Sequence, residues 1–173
     1  MARGRRLESV ALAEYSALMG HAVVPVCCVH DEIDWLKASL DGWNGEKKIV
    51  VEVKAPRKEE HELALANGVP VKYRTQTIHQ LLVTGAPLLH YVSYNDYFPA
   101  HRRLAVVPVL PVREELEALL AALKEFWWHV ENRVPPGGEG KESHTHGKGR
   151  QSDISPRKTV RSRKNRTSGV KVS

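Results

Sequence analysis

The run Lys48-Ile-Val-Val-Glu-Val-Lys-Ala55 constrains this chain more than any other stretch. It is an apolar run of strand length, and in a strand the side chains alternate faces with period two. Ile49, Val51 and Val53 then project to one side, and Glu52 and Lys54 to the other. A strand that looks buried therefore carries a carboxylate and an ammonium on one face. Upstream stands a second acid, Asp41, followed by Gly42. Two acids and a lysine at this spacing form the donor set that magnesium-dependent phosphodiester hydrolysis needs. A bare Glu-x-Lys is also common by chance, and on the wet face of a sheet it is a surface ion pair of little worth.

At 173 residues and 42% apolar content the chain can bury one real core. It has no run of about 18 apolar residues, and its start leads directly into a helical pattern, so neither a spanning helix nor a signal peptide is indicated. The expectation is a soluble cytoplasmic protein with no membrane partner. Cys27 and Cys28 are adjacent in an apolar run and read as strand residues, not as a disulfide framework or a zinc site. Residues 1–134 hold 16 Lys+Arg against 17 Asp+Glu, a balance of −1, whereas residues 135–173 hold 10 against 3, a balance of +7. The whole net charge of +6 therefore lies in the tail. The tail is poor in apolar residues and is expected to be disordered, leaving 1–134 as the folded domain. A basic arm can add salt-sensitive affinity for nucleic-acid phosphates, or it can be only a solvated appendage. His144 and His146 in this arm are weak evidence for metal.

Within residues 1–134 the pattern reads as a helix, a set of strands, a helix, further strands and a final helix. The first helix, about 4–19, ends at Gly20 and places Glu8 on a stripe with Leu12, Tyr15 and Met19. An acid there either meets the helix dipole and Arg5 or Arg6, or serves a site. A strand follows at 22–29, where Pro25 suggests an edge or a bulge. Residues 35–41 read as the next strand, with 41–46 as a hairpin connection into 48–55 that can bring Asp41 beside Glu52. Residues 57–68 read as a polar connection. The helix that ends at Gly85 carries Tyr73, Gln76 and Gln80 on one face, where a phenol and two amides can contact DNA phosphate or order water. A solvated amide stripe is the alternative, and it fits Gln80 better than Gln76. Strands are expected at 88–94 and 104–112, separated by the basic cluster His101-Arg102-Arg103, which either touches phosphate or is ordinary edge charge. The last helix spans 111–133. There Trp127 and Trp128 cannot share a face, and one of them can serve a second subunit or another partner.

Taken in order, Arg3-Gly-Arg-Arg-Leu-Glu8, Trp35-Leu-Lys-Ala-Ser-Leu-Asp41-Gly42, Val51-Glu52-Val53-Lys54-Ala55-Pro56 and Tyr73-Arg-Thr-Gln76-Thr-Ile-His-Gln80-Leu-Leu-Val-Thr-Gly85 resemble the YqaJ-type phage recombination exonucleases. These are relatives of lambda exonuclease in the PD-(D/E)XK nuclease superfamily. The resemblance implies an α/β (α+β) fold with a central mixed β-sheet flanked by helices, a restriction-endonuclease-like core. It implies Mg²⁺-dependent digestion of double-stranded DNA, with Mn²⁺ as a substitute ion, typically from the 5′ end. It also implies a single-strand annealing protein as partner, a homo-oligomer, and a bacterial or phage-infected cytoplasm. Residue by residue, Asp41 and Glu52 match the metal ligands, with the carbonyl of Val53 also available. Lys54 matches the residue that positions or deprotonates water, Glu8 the first-helix acid and Gln76 the helix glutamine. Tyr73, Gln80, Arg102 and Arg103 complete the expected DNA side. The chain departs from the pattern at Leu40, where a proline is common, and at Ile78, where a further glutamine is common. It also begins almost at the first-helix motif, without the upstream segment that usually helps to form the DNA channel. Two other functions stay open on the same fold, a non-catalytic DNA- or partner-binding module and an endonuclease.

Overall fold

The computed structural model describes residues 2–136 and 171–172, with the backbone alone for 2–5 and 171–172. The elements run α1 (Ala2–Met19), β1 (Val24–Val29), β2 (Lys37–Asn44), β3 (Ile49–Lys54), α2 (Lys58–Leu65), α3 (Val71–Thr84), β4 (Leu88–Tyr94), a 3-10 turn (Ala100–Arg102), β5 (Leu104–Val109), α4 (Arg113–Asn132) and β6 (Lys171–Val172). One sheet has the order β5-β4-β3-β2-β1-β6. Strands β3 and β4 are parallel, from Ile49↔Leu88 to Lys54↔Ser93, and all other neighbours are antiparallel. Parallel neighbours need a long crossover, and α2 with α3 supply it. The mixed sheet flanked by helices is the expected α+β architecture.

Strand alternation sorts the core into two layers. Ile49, Val51 and Val53 of β3 pack with Leu7, Ala11 and Tyr15 of α1 on one face. Val50 packs on the other face with Ala64 of α2, Leu81 of α3 and Tyr91 of β4, and partly buried leucines of α4 close that layer. Buried on both faces, β3 is the centre of the molecule. Pro25 coincides with a register shift in β1 between Val24 and Val26, as its missing N–H demands.

Three expectations are revised. Strand β2 continues through Asp41 to Asn44, so the turn lies at 45–48, where Asn44 Oδ1 accepts the Lys47 N–H at 2.8 Å. The polar segment contains α2, which begins with Glu59 and Glu60 at its positive end and faces inward through His61 and Ala64. Two inward residues are too few to show helical periodicity. The buried stripe of α1 is Leu7, Ala11 and Tyr15, whereas Leu12 and Met19 are only partly covered. Lys171 and Val172 pair with Val29 and Cys28 of β1. Residues 137–170 and Ser173, including His144 and His146, lie outside the described residues.

Candidate active site

The β2–β3 ladder runs from Asn44↔Ile49 to Gly42↔Val51. One residue further on, Asp41 Oδ2 accepts the Val53 N–H at 2.8 Å, so a side chain takes up a backbone donor of β3. Gly42 lets the strands come this close, because a Cβ there would stand 2.9 Å from Val23 Cγ2 and 3.1 Å from Val51 Cβ. Asp41 is thus fixed beside the end of β3 that carries Glu52 and Lys54.

Glu52 is 1% exposed, an unusual position for a carboxylate. Lys54 Nζ donates to its Oε1, and Gln80 Nε2 donates to its Oε2 at 2.5 Å. The same Gln80 nitrogen reaches the Ser39 carbonyl at 3.2 Å, tying α3 to β2 and β3. Burial pushes the Glu52 carboxyl above the usual carboxylate range, and the Asp41 charge adds to that. Lys54 and the two hydrogen bonds pull the other way. Lys54 keeps about a quarter of its side-chain surface in solvent, so the ammonium sits at the mouth of the site and Glu52 at its floor.

The predicted residues separate into groups. Asp41, Glu52, Lys54 and Gln80 converge. Tyr73 stands at the rim, with Lys54 Nζ 5.5 Å from its ring centroid and its ring stacked on Tyr91 at 5.9 Å. Gln76 is exposed on the outer part of the α3 stripe and Gln80 is buried, so Gln80 is the amide that meets Glu52. The position of Gln76 one turn out depends on how α3 rolls onto the sheet. Glu8 is half-buried on α1, next to Leu7, which packs in the same layer as Val51 and Val53. Among the described residues no three acids, histidines or cysteines gather as a metal cluster. Arg103 lies near Glu14 at 3.9 Å, and Arg102 is exposed with its guanidinium 5.9 Å from the Phe98 ring centroid. Arg102 remains available to a phosphate, whereas Arg103 has an acidic neighbour. His90 is a buried sheet residue whose Nδ1 is hydrogen-bonded to the Tyr15 hydroxyl at 2.7 Å. One group escaped the sequence reading. Tyr91 lies beside Glu52 in the β3–β4 register with its hydroxyl buried and unpartnered, as is Gln80 Oε1. No local pattern marks Tyr91.

Residues 1–87 match the YqaJ-like viral recombinase domain, a stretch that contains Glu8, Asp41, Glu52, Lys54 and Gln80. The chain belongs to this family. The YqaJ-like fold is also similar to a solved alkaline exonuclease, LHK-Exo from Laribacter hongkongensis, with TM-score 0.60 and 26% identity over 77% of this chain and 73% of that one. The same exonuclease in complex with dAMP gives 0.58 and 26%, over 77% and 72%. A phage-related exonuclease from Haemophilus somnus 129PT gives 0.55 over 75% and 70%, and at 12% identity that likeness is one of fold. No curated protein sequence matches the chain.

Proposed function

We propose that residues 1–134 form a divalent-metal-dependent exonuclease domain that hydrolyses phosphodiester bonds of double-stranded DNA. The observation that carries the reading is the buried Glu52 carboxylate, held beside Asp41 and capped by Lys54 at the end of β3. Family membership and the likeness to an alkaline exonuclease support it. Among the described residues no helix is long and apolar enough to cross a membrane.

The donor set fits Mg²⁺, with Mn²⁺ as a substitute. Two carboxylates and the Val53 carbonyl are hard oxygen ligands, and Mg²⁺ keeps several waters instead of requiring a full protein cage. Burial first and the Asp41 charge second raise the Glu52 pKa, and the repulsion between the two carboxylates is what a cation relieves. When bound, such an ion supplies a more acidic water and neutralises the scissile phosphate. Asp41 is anchored through one oxygen, which leaves the other as a ligand. Gln80 clamps Glu52 and sets its plane. Lys54 is the cation at the mouth, placed to orient the attacking water and to donate to charge developing on the phosphate. Tyr73, Gln76 and Arg102 line the outer surface that a DNA backbone would cross. The 5′-to-3′ direction, and delivery of the remaining strand to an annealing protein, are the forms of this activity that the family resemblance favours.

The test incubates purified protein with linear and closed-circular duplex DNA, in Mg²⁺ and in EDTA, beside Glu52→Ala and Lys54→Ala. Metal-dependent loss of the linear DNA alone, absent from both variants, is the expected result. Loss of the circle as well would turn the reading to an endonuclease, and loss of neither would sink the enzyme.

A further inference from the structure

We propose that Tyr91 is a positioning residue for the metal site, its hydroxyl kept buried and unpaired beside Glu52 in order to donate to that carboxylate, directly or through one water, when a divalent cation is bound. The inference rests on the nuclease reading above. Tyr91 of β4 stands opposite Glu52 in the parallel β3–β4 register, and it is 0% exposed. It packs in the layer that Val50 enters, and strand alternation puts Glu52 on the Val50 side of β3.

The Tyr91 hydroxyl has no hydrogen-bond partner. Tyr15, Thr77, Thr84, Ser93 and Tyr94 are also buried, and each of their hydroxyls has one. Among the described residues Tyr91 therefore carries the one buried hydroxyl left over. Phenylalanine would fill the same space without the cost of desolvating an oxygen, so packing does not account for it.

The ring is held in place. It stacks on Tyr73, with centroids 5.9 Å and planes 28° apart, and the Tyr73 ring centroid lies 5.5 Å from Lys54 Nζ. Burial above all, and then the nearby Tyr73, Glu60 and Glu52, hold the Tyr91 hydroxyl above the ordinary tyrosine range, so it stays a neutral O–H donor. Of the two carboxylates in that set, Glu60 is paired with Lys72. Glu52 receives Lys54 Nζ on Oε1 and Gln80 Nε2 on Oε2. A cation on Glu52 repels the Lys54 ammonium, and this opens one donor place on the carboxylate. A carboxylate that ligates a metal is itself held by hydrogen bonds, and Tyr91 is the donor at hand for that place.

The test compares Tyr91→Phe with wild type in two measurements on the full chain, urea unfolding in EDTA and calorimetric titration with Mg²⁺ in the absence of DNA. Tyr94→Phe is the control, because the Tyr94 hydroxyl is also buried but already donates to Glu14 at 3.0 Å. Tyr91→Phe is expected to keep or raise the unfolding midpoint in EDTA and to weaken Mg²⁺ binding about 10–100-fold. Tyr94→Phe should lower the midpoint and leave Mg²⁺ affinity unchanged. An Mg²⁺ affinity lowered as much in Tyr94→Phe as in Tyr91→Phe overturns the inference. So does a lower midpoint for Tyr91→Phe in EDTA, which would give its hydroxyl a structural role. Mg²⁺ binding that Glu52→Ala abolishes and Tyr91→Phe leaves intact removes the positioning role and leaves the nuclease. Mg²⁺ binding weakened in Tyr91→Phe, in a protein that degrades no DNA, removes the nuclease and leaves a metal site that Tyr91 positions. A wild type that binds no Mg²⁺ overturns both.

Discussion

Gln80→Leu isolates the electrostatics of the site, because it removes both donors at nearly constant volume from a residue that is 1% exposed. The lost bond to the Glu52 carboxylate, 2.5 Å long, is worth about 1.5–3 kcal/mol, and the bond to the Ser39 carbonyl about 0.5–1.5 kcal/mol. Leucine recovers part of that, because the buried, unpartnered Gln80 Oε1 disappears and with it a desolvation cost of about 1–3 kcal/mol. The expected net loss at pH 8 is about 1–2 kcal/mol. Burial and then Asp41 raise the folded Glu52 pKa above its ordinary value of 4.5. The folded chain therefore binds the proton more tightly than the unfolded chain does. Stability from this group is full below 4.5 and declines as pH rises through the folded pKa. Gln80 is among the groups that hold this pKa down, so its loss raises the pKa further and deepens the decline. At pH 4 Glu52 is neutral, the lost bond is an ordinary one, and the cost falls below about 1 kcal/mol. Urea denaturation of metal-free wild type and variant at pH 4 and pH 8 measures both values, and a cycle with Glu52→Gln isolates the coupling. A loss equal at the two pH values, or undiminished beside Glu52→Gln, would refute the carboxylate clamp.

Gly42→Ala places a methyl 2.9 Å from Val23 Cγ2 and should destabilise the fold by about 1–3 kcal/mol in thermal or urea unfolding; an unchanged midpoint argues against the close β2–β3 approach. Added Mg²⁺ should stabilise the wild type by about 2.7 kcal/mol at a hundredfold excess over Kd, and more at pH 8 than at pH 5, because the cation competes with the proton on Glu52. If that stabilisation survives in Glu52→Ala, the cation sits elsewhere. Deleting residues 137–173 should flatten the salt dependence of DNA affinity by about 0.9 for each phosphate the tail neutralises, and an unaltered slope would show that the tail touches none.

Much of the site was legible because its first link is local. The face on which Glu52 stands follows from strand alternation within Ile49–Lys54, and Asp41 in the preceding strand was already a carboxylate that could meet it. The amide partner was not legible in the same way. Gln76 and Gln80 lie on one helical stripe, and only the seating of α3 buries Gln80 against Glu52 and leaves Gln76 in solvent. Helix α2 was missed because its inward contribution is His61 and Ala64, with no repeating apolar period around them. The role of His61 depends on Ser93 and Arg102, which are distant in sequence and adjacent only in space.

The sequence by itself determined the central strand, the alternation that puts Glu52 and Lys54 on one side, and the acid that precedes them, since these follow from covalent geometry and the order of residues. Tertiary structure alone decided that Glu52 is fully buried, that Asp41 holds the Val53 N–H, and that Gln80 completes the clamp. Each of these is a distance between separate elements, set by how the helices pack on the sheet and not by the spacing of residues along the chain.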